Sequence, residues 1–270
     1  MARCPDTPAQ PERVDPITAK PTTPVTLPIM LQGWHDLTSI HWRFEPEVVQ
    51  ALLPAGFTVD TFDGSAWVGL IPFSMRRIRI PHLPAFGRLS TFPETNVRTY
   101  IVNPSGERGV WFFSLDITRL VTALVARVSY RLPYCWAAMT IEHDHAHNTV
   151  SYTSRRRWPQ RSSRASTNIE VVIGQPIDPD DVTDLEHFLS ARWALGTAFG
   201  RRLMWADVDH PRWPLYRATL STCQESLVAA AGLHAPDGEA MVLWSPGVDV
   251  RIALPRRAES NSAPKPHRDR

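Results

Sequence analysis

Four polar side chains share one face of a predicted strand near the middle of the chain. Successive side chains of an extended chain point to opposite faces, so every second residue from position 94 lies on the same side. These residues are Glu94, Asn96, Arg98 and Tyr100. A carboxylate can move a proton, a guanidinium can hold a substrate carboxylate through two parallel hydrogen bonds, and an amide and a phenol can fix its orientation. The same pattern also fits a face that meets water, as antiparallel sheets often have.

A second candidate for chemistry is Tyr134, which follows Pro133 in the stretch Arg127-Val-Ser-Tyr-Arg-Leu-Pro-Tyr-Cys-Trp-Ala-Ala-Met139. Its phenol could donate a hydrogen bond to a carbonyl or enolate oxygen of a substrate. It could equally be a buried tyrosine whose hydroxyl bonds to the backbone. The lysines of the chain are Lys20 and Lys265, both in proline-rich end segments. The body of the chain therefore has no lysine that could form an imine with a ketone.

Several segments resemble those of acetoacetate decarboxylase-like proteins in order and approximate spacing. They are Arg43-Phe-Glu-Pro-Glu-Val-Val-Gln-Ala-Leu-Leu-Pro54, Pro93-Glu94-Thr95, Gly109-Val-Trp-Phe-Phe-Ser-Leu115 and Leu132-Pro133-Tyr134. Further segments resemble the uncharacterised YqjF-like branch of that superfamily: Trp67-Val-Gly-Leu-Ile-Pro-Phe73, Glu94-Thr-Asn-Val-Arg-Thr-Tyr100, Phe113-Ser-Leu-Asp116 and His210-Pro-Arg-Trp-Pro-Leu215. The resemblance covers about residues 33 to 253. It implies a cone-shaped β-barrel with a buried active site.

The resemblance also implies a pocket that lacks the nucleophile of the decarboxylases. The catalytic glutamate of the family falls on Glu94, its imine-forming lysine on Tyr134 and the neighbouring lysine on Cys135. The family arginine that precedes the first strand falls near His35. Because a tyrosine cannot form an imine, the resemblance predicts that this chain does not decarboxylate through a protonated Schiff base.

Two arginines, Arg98 and Arg127, are candidate clamps for a ligand carboxylate. Each could instead pair with Glu94 or Asp116 and so compensate a buried charge. Asp116 is expected to cap a helix that begins near Thr118, with a position facing the pocket as the alternative. Glu94 and Tyr134 are therefore the predicted catalytic residues. The predicted substrate-binding residues are Arg98, Asn96, Tyr100, Arg127 and His35.

Two further sequence patterns are weaker candidates for a functional site. His143, His145 and His147 would share a face of a strand, but metal sites usually draw their ligands from separated segments, so we interpret these histidines as an exposed hairpin turn. The basic stretch 155–164 is interpreted as a solvated loop, because the rest of the domain has no matching basic composition. We expect neither a metal nor another cofactor.

The elements that would position these residues are mostly strands. Helices are predicted at residues 45–54, 118–128 and 183–192, the last from the capping-box match between Thr183 and Glu186. Strands are predicted at residues 57–62, 67–73, 94–102, 110–116, 136–157, 166–175, 195–207, 214–224 and 240–252, with a turn at Asp63-Gly64. Many short strands with few helices favour a mainly β (α+β) fold, an antiparallel cone-shaped β-barrel with a few peripheral helices.

The two ends of the chain differ in composition from its centre. Residues 1–30 are rich in proline, threonine and charge, a composition that is typical of a disordered tail. Residues 255–270 have the same character and are also predicted to be disordered. Residues 31–254 are expected to form a single domain.

Charge and cysteine content narrow the class of protein. The formal net charge is only +2, so nucleic acid is not an expected partner. Three cysteines, Cys4, Cys135 and Cys223, are an odd number without paired spacing, which favours a reducing compartment and predicts a cytoplasmic location. No segment has the pattern of a signal peptide or a membrane span.

The expected ligand is a small organic acid or ketone, and the oligomeric state cannot be predicted from these patterns. One functional hypothesis is a lyase, isomerase or hydratase that acts on a keto or hydroxy acid without covalent catalysis, with Glu94 as acid or base. The alternative is a non-catalytic sensor or accessory protein that binds a ligand in the same pocket.

Overall fold

A computed structural model of the chain describes residues 14–85, 87–119, 132–159, 164–200 and 202–258. Strands dominate it, as predicted, and the mainly β fold class is confirmed. The strands are β1 (Met30–Phe44), β2 (Thr58–Val59), β3 (Thr61–Phe62), β4 (Ser65–Arg79), β5 (Phe92–Val102), β6 (Arg108–Ile117), β7 (Tyr134–Asp144), β8 (Thr149–Trp158), β9 (Ser166–Pro176), β10 (Ala194–Phe199), β11 (Arg202–Asp209), β12 (Tyr216–Glu225), β13 (Met241–Ile252) and β14 (Arg256–Arg257). The α-helices of the described residues are α1 (Pro46–Gln50), α2 (Asp184–Ser190) and α3 (Leu227–Ala230), and 3-10 turns occur at Gly87–Ser90 and Pro179–Asp181.

Local sequence signals account for several element boundaries. Asp63 and Gly64 join β3 to β4 with φ values of 50° and 73°, a left-handed pair that aspartate and glycine tolerate in a tight hairpin turn. The capping box that starts α2 is present, since the Thr183 hydroxyl accepts from the Glu186 amide while the Glu186 carboxylate accepts from the Thr183 amide. The predicted helix at residues 118–128 falls largely on residues 120–131, which lie outside the described residues.

The strands form one sheet that closes on itself twice. One ring of nine strands runs through β1, β4, β5, β6, β7, β8, β9, β12 and β13. A second ring of seven strands runs through β1, β4, β5, β6, β10, β11 and β13. The β6–β7 and β6–β10 pairs are parallel, so the sheet is mixed, whereas the sequence predicted antiparallel pairing. Parallel pairing of consecutive strands requires a long connection, and residues 118–133 supply one between β6 and β7.

The interior of the nine-strand ring is a packed hydrophobic core, which we call the filled half. Its side chains come from β1, β4, β5, β8 and β9, among other elements. They are almost completely buried, as in dense protein interiors. Representative members are Ile40, Leu70, Val97, Tyr152, Ile169 and Val171.

The interior of the seven-strand ring contains a cavity, and we call this region the hollow half. All seven strands contribute residues to the cavity wall. Because side chains alternate along a strand, the strands common to both rings send successive residues into different interiors. On β4, Leu70 enters the filled half and Ile71 enters the hollow half. On β5, Val97 enters the filled half and Asn96 enters the hollow half.

The segments that flank the predicted domain contact its body. The Asp15 amide donates to the Gly106 carbonyl at 2.9 Å, and the Trp193 indole donates to the Thr18 carbonyl at 2.9 Å. Strand β14 pairs with β11. Described residues of both flanking segments therefore contact the domain, because an extended proline-rich segment can still pair its backbone groups with it. Residues 1–13 and 259–270 lie outside the described residues. None of the described helices is both long and apolar enough to cross a membrane.

Candidate functional site

The cavity of the hollow half has a volume of about 360 Å³. This volume lies at the lower end of the range typical of small-molecule sites. Most of its wall is apolar, including Ile71, Phe73, Met75, Phe92, Phe112 and Leu115. A largely apolar cavity with few polar groups is the usual form of a ligand pocket.

Strand β5 contributes three polar residues to the wall, more than any other strand. Glu94, Asn96 and Arg98 all line the cavity. Regular pairing with β4, in which Phe73 lies opposite Glu94 and Ile71 opposite Asn96, keeps the alternation of β5 intact. The structure therefore brings together three of the four residues that the strand period groups on one face.

Tyr100, the fourth residue of that face, does not line the cavity. It is fully buried, and its hydroxyl donates to the Leu189 carbonyl at 2.7 Å and lies 2.7 Å from Nε2 of His41. Leu189 belongs to the last turn of α2, where carbonyl groups lack intrahelical partners. Tyr100 packs against Phe188 of the same helix, at a ring-centroid distance of 5.2 Å. Its hydroxyl is therefore engaged with His41 and α2.

The carboxyl group of Glu94 is the most perturbed group of the cavity wall. Its side chain is only 3% exposed, and its Oε2 has no hydrogen-bond partner among the described residues. Burial raises the pKa of Glu94 to about 8, and the negative charge of Asp116 contributes to the rise. Glu94 is therefore mostly protonated at neutral pH, with a pKa close to the value that suits proton transfer there.

Two neighbours of Glu94 also present buried polar atoms without protein partners. Within the described residues, Oδ1 of Asn96 and Nε of Arg98 have no hydrogen-bond partner. No ion pair of the described part of the chain includes Glu94 or Arg98. Since buried polar atoms are normally paired, these three unpartnered atoms distinguish this part of the wall. A carboxylate or carbonyl oxygen could accept from Arg98 and from the protonated Glu94, whereas Oδ1 of Asn96 is itself an acceptor and requires a donor such as a hydroxyl group.

Tyr134 begins β7 and also lines the cavity. The register of β5, β6 and β7 places Asn96, Leu115 and Tyr134 in one row across three strands. Tyr134 and Glu94 thus border the same cavity. The next residue, Cys135, is buried, and its Sγ lies 3.7 Å from the Pro133 carbonyl.

Asp116 does not have the role that was predicted for it. The prediction that it caps a helix is wrong, because Asp116 lies within β6 and is fully buried. Its carboxylate accepts hydrogen bonds from Arg156, at 3.0 Å from Nε and 2.6 Å from Nη2. Burial raises the pKa of Asp116, and the Arg156 guanidinium opposes that rise. Sequence reasoning did not find this pair, whose members are 40 positions apart.

The interpretation of Arg156 as part of a solvated loop is also wrong. Residues 155–157 belong to β8, where Arg155 and Arg157 are exposed and Arg156 is buried. The run of three arginines hides the period of two, which continues from the buried residues Tyr152 and Ser154. Continuing that alternation through the basic stretch could have identified Arg156 as an inward residue. Residues 160–163 lie outside the described residues.

Of the two remaining predicted binding residues, the structure describes one. His35 follows Trp34, which lines the cavity, and does not itself belong to the wall. Burial, followed by the positive charge of Arg76, lowers the pKa of His35. Arg127 lies outside the described residues.

The histidine-rich segment forms the end of β7 and the turn to β8, in keeping with the hairpin interpretation. His143 and His145 have ring centroids 4.1 Å apart, and Nδ1 of His147 lies 2.7 Å from Oδ2 of Asp144. In the part of the chain that the structure describes, no group of three or more His, Cys, Asp or Glu residues could hold a metal ion.

Comparison with known proteins identifies the family. A family model named DUF2071, described as an uncharacterized conserved protein, matches residues 31–249. This chain belongs to the DUF2071 family. Among curated proteins, the uncharacterized protein YqjF of Bacillus subtilis (strain 168) is 28% identical to it over 222 residues, which cover 82% of this chain and 89% of YqjF.

The DUF2071 chain has the fold of acetoacetate decarboxylase-like enzymes. The acetoacetate decarboxylase-like enzyme from Sphingomonas wittichii RW1 superposes with a TM-score of 0.58 at 16% identity, covering 88% of this chain and 96% of that one. Acetoacetate decarboxylase from Legionella pneumophila gives a TM-score of 0.53 at 12% identity, with coverages of 87% and 92%. The enduracididine biosynthesis enzyme MppR, complexed with pyruvate, gives 0.59 at 12% identity, with coverages of 89% and 95%. At these identities the likeness concerns the fold.

Proposed function

We propose that the cavity binds a small organic acid or ketone, on which Glu94 acts as a general acid or base without a covalent intermediate. The observation that carries this proposal is the Glu94 carboxyl group, which is buried in the cavity wall with an unpartnered Oε2 and a pKa raised to about 8. An acid or base with a pKa near the working pH transfers protons most effectively.

The neighbouring residues would orient the ligand. The guanidinium of Arg98 would hold a ligand carboxylate, and the phenol of Tyr134 would donate a hydrogen bond to a carbonyl or enolate oxygen. Proton transfer at the carbon next to a carbonyl, with stabilisation of the enolate, is sufficient for lyase, isomerase or hydratase chemistry. The pyruvate complex of MppR supports a keto acid as the ligand class.

The proposed chemistry does not pass through an imine. Tyr134 stands where the resemblance to the decarboxylases places the nucleophilic lysine, and a phenol cannot condense with a ketone. Lys20 belongs to the segment that precedes β1 and is absent from the cavity wall. Catalysis would therefore depend on proton transfer and electrostatic stabilisation alone.

The alternative proposal is a non-catalytic sensor or accessory protein. The unpartnered atoms of Glu94, Asn96 and Arg98 favour it equally, since a bound ligand could satisfy them without reacting. The cytoplasmic location that the cysteine content predicts belongs to both proposals.

A thermal-shift screen followed by a turnover assay tests these proposals. Keto acids, hydroxy acids and simple ketones would be screened first, because a ligand that binds only the folded state raises the melting temperature. Glu94→Gln would then be compared with wild type on every compound that binds. The amide keeps the shape of a protonated carboxyl group but cannot transfer its proton, so we expect binding at pH 7 to persist and turnover to fall at least 100-fold.

The exposed Glu239→Gln makes the same chemical change outside the cavity and serves as the matched control. Turnover that survives in Glu94→Gln would overturn the catalytic role and leave the binding role. A screen in which no compound raises the melting temperature would overturn both.

A further inference from the structure

The wall of the cavity that faces β5 is apolar. In the seven-strand ring, β11 lies three strands from β5 in one direction and β13 lies three strands from it in the other. These two strands therefore form the wall opposite β5. They contribute Ala206 and Ile252 to the cavity, and the chain after β13 adds Ala253 and Pro255. A ligand whose polar group meets β5 must therefore extend toward a hydrocarbon surface.

The size of the cavity sets the length of such a ligand. At about 30 Å³ for each water-sized group, 360 Å³ has room for roughly a dozen non-hydrogen atoms. A keto acid of three or four carbon atoms would leave much of this space empty. Apolar walls without contacting atoms lose their dispersion interactions, so a ligand that reaches the opposite wall is favoured.

Exposed apolar side chains mark the edge of the cavity. Leu254, which is 71% exposed, stands between the cavity-lining residues Ala253 and Pro255. Ile80, which is 61% exposed, follows the cavity-lining Ile78 by two residues. The cavity thus approaches the surface beside hydrocarbon side chains, which suits the entry of an apolar group.

We propose that the ligand is a carboxylic acid of about eight to ten carbon atoms in total, with an apolar body. Its carboxylate meets Arg98 and the protonated Glu94 on β5, and its body extends toward Ala206 and Ile252. The inference rests on the proposed function, because it assigns a ligand class to the same cavity and the same polar wall. It replaces the small acid of that proposal with a longer, amphipathic one.

Titration with straight-chain acids from acetate to dodecanoate tests the length of the body. We expect the affinity to rise about fourfold for each added methylene until the cavity is full, near ten carbons, and then to fall. Methyl octanoate, which keeps the body and lacks the charge, should bind at least tenfold more weakly than octanoate. Butyrate that binds within threefold of octanoate and decanoate would overturn the proposed body, and equal binding of the ester would overturn the carboxylate.

Two substitutions test where the body lies. Ala206→Leu adds three carbon atoms to the wall opposite β5, so the optimal acid should become about three carbons shorter while butyrate binds as before. If this variant does not fold, Ala253→Leu makes the same change near the edge of the cavity. The exposed Ala230→Leu is the matched control and should keep the wild-type optimum. A folded cavity variant with the wild-type optimum would overturn the placement.

The two proposals fail in different ways. If only short keto acids bind, and Glu94→Gln abolishes their turnover, the long body is wrong and the proposed function stands. If acids of eight to ten carbons bind but no compound of any length is turned over, the ligand class stands and the catalytic role is wrong. If no acid of any length binds, the ligand class is wrong, and the ketone and turnover assays decide the proposed function separately.

Discussion

The filled and hollow halves are built by many of the same strands, yet they bury their carboxyl groups differently. Asp116 follows the cavity-lining Leu115 on β6 and therefore faces the filled half, where two nitrogen atoms of Arg156 hold it. In the hollow half, Glu94 leaves Oε2 without a partner among the described residues. Both side chains are almost completely buried, so burial by itself does not separate a structural carboxylate from a candidate functional one. The presence or absence of a protein partner does.

Packing separates the halves in the same way. Leu70 and Ile71 are adjacent on β4, and both are fully buried. Leu70 contacts a dense core, whereas Ile71 borders a cavity of about 360 Å³. Two neighbouring residues with equal burial therefore have different surroundings, and their substitutions should have different costs.

The largest effect is expected for the paired carboxylate of the filled half. Asp116→Asn would leave the buried guanidinium of Arg156 uncompensated and should lower the free energy of unfolding by about 3–5 kcal/mol. Asp249→Asn removes one member of the exposed pair with Arg77 and is the matched control, with an expected cost below about 1 kcal/mol. Urea denaturation of both variants measures the difference. Equal losses would mean that the Asp116 pair contributes no more than a surface pair.

The next effect compares the two faces of β4. Leu70→Ala should lower the free energy of unfolding by about 2–5 kcal/mol, because it opens a new cavity in the filled half. Ile71→Ala enlarges a space that already exists, so its cost should lie near or below about 2 kcal/mol. Chemical denaturation of the pair provides the measurement. A larger loss for Ile71→Ala than for Leu70→Ala would contradict the division into a filled and a hollow half.

A smaller effect should appear in the pH dependence of stability. The pKa of Glu94 is raised in the folded chain to about 8 from a usual value of 4.5, so the unfolded chain releases this proton first as the pH rises. Wild type should therefore lose stability between pH 4.5 and 8, with a loss of about 2.7 kcal/mol between pH 6 and pH 9. Glu94→Gln should lack this loss, and Glu239→Gln should retain it. Parallel pH profiles for wild type and Glu94→Gln would show that Glu94 is not held in its protonated form.

The smallest expected effect is the absence of a reaction. Borohydride in the presence of acetoacetate or another simple ketone should leave no covalent adduct on residues 30–254, because this span contains no lysine and Tyr134 cannot form an imine. Intact-mass and peptide analysis would detect a trapped adduct. An adduct within this span would restore covalent chemistry to the hollow half.

Short-range patterns in the sequence predicted much of the fold. The Asp63-Gly64 turn, the capping box at Thr183 and the alternation of Glu94, Asn96 and Arg98 are each present in the structure. Each of these signals depends on neighbours within a few positions, where backbone geometry dictates side-chain direction. Such short-range signals predict helices, strands and turns, and the face of a strand on which a side chain lies.

The predictions that differed from the structure depend on residues that are distant in the chain. The strand period predicts the face of Tyr100, but its hydroxyl bonds to α2, which begins 84 positions later and which no local pattern places there. Similarly, nothing near Asp116 indicates that Arg156 lies beside it. The two ring closures and the parallel pairs of β6 also arise from tertiary pairing rather than from local periodicity.

Strand β5 separates the two halves, so residues on its two faces can be substituted independently of each other. Residues 94, 96 and 98 meet the cavity, whereas Thr95 and Val97 are buried on the opposite face. Substitution at the first set can change ligand chemistry while the second set still supports the core. Insertion of one residue would exchange the two sets and turn polar groups into the core. New specificities in this architecture should therefore arise by replacing side chains at alternate positions, with the length of β5 unchanged.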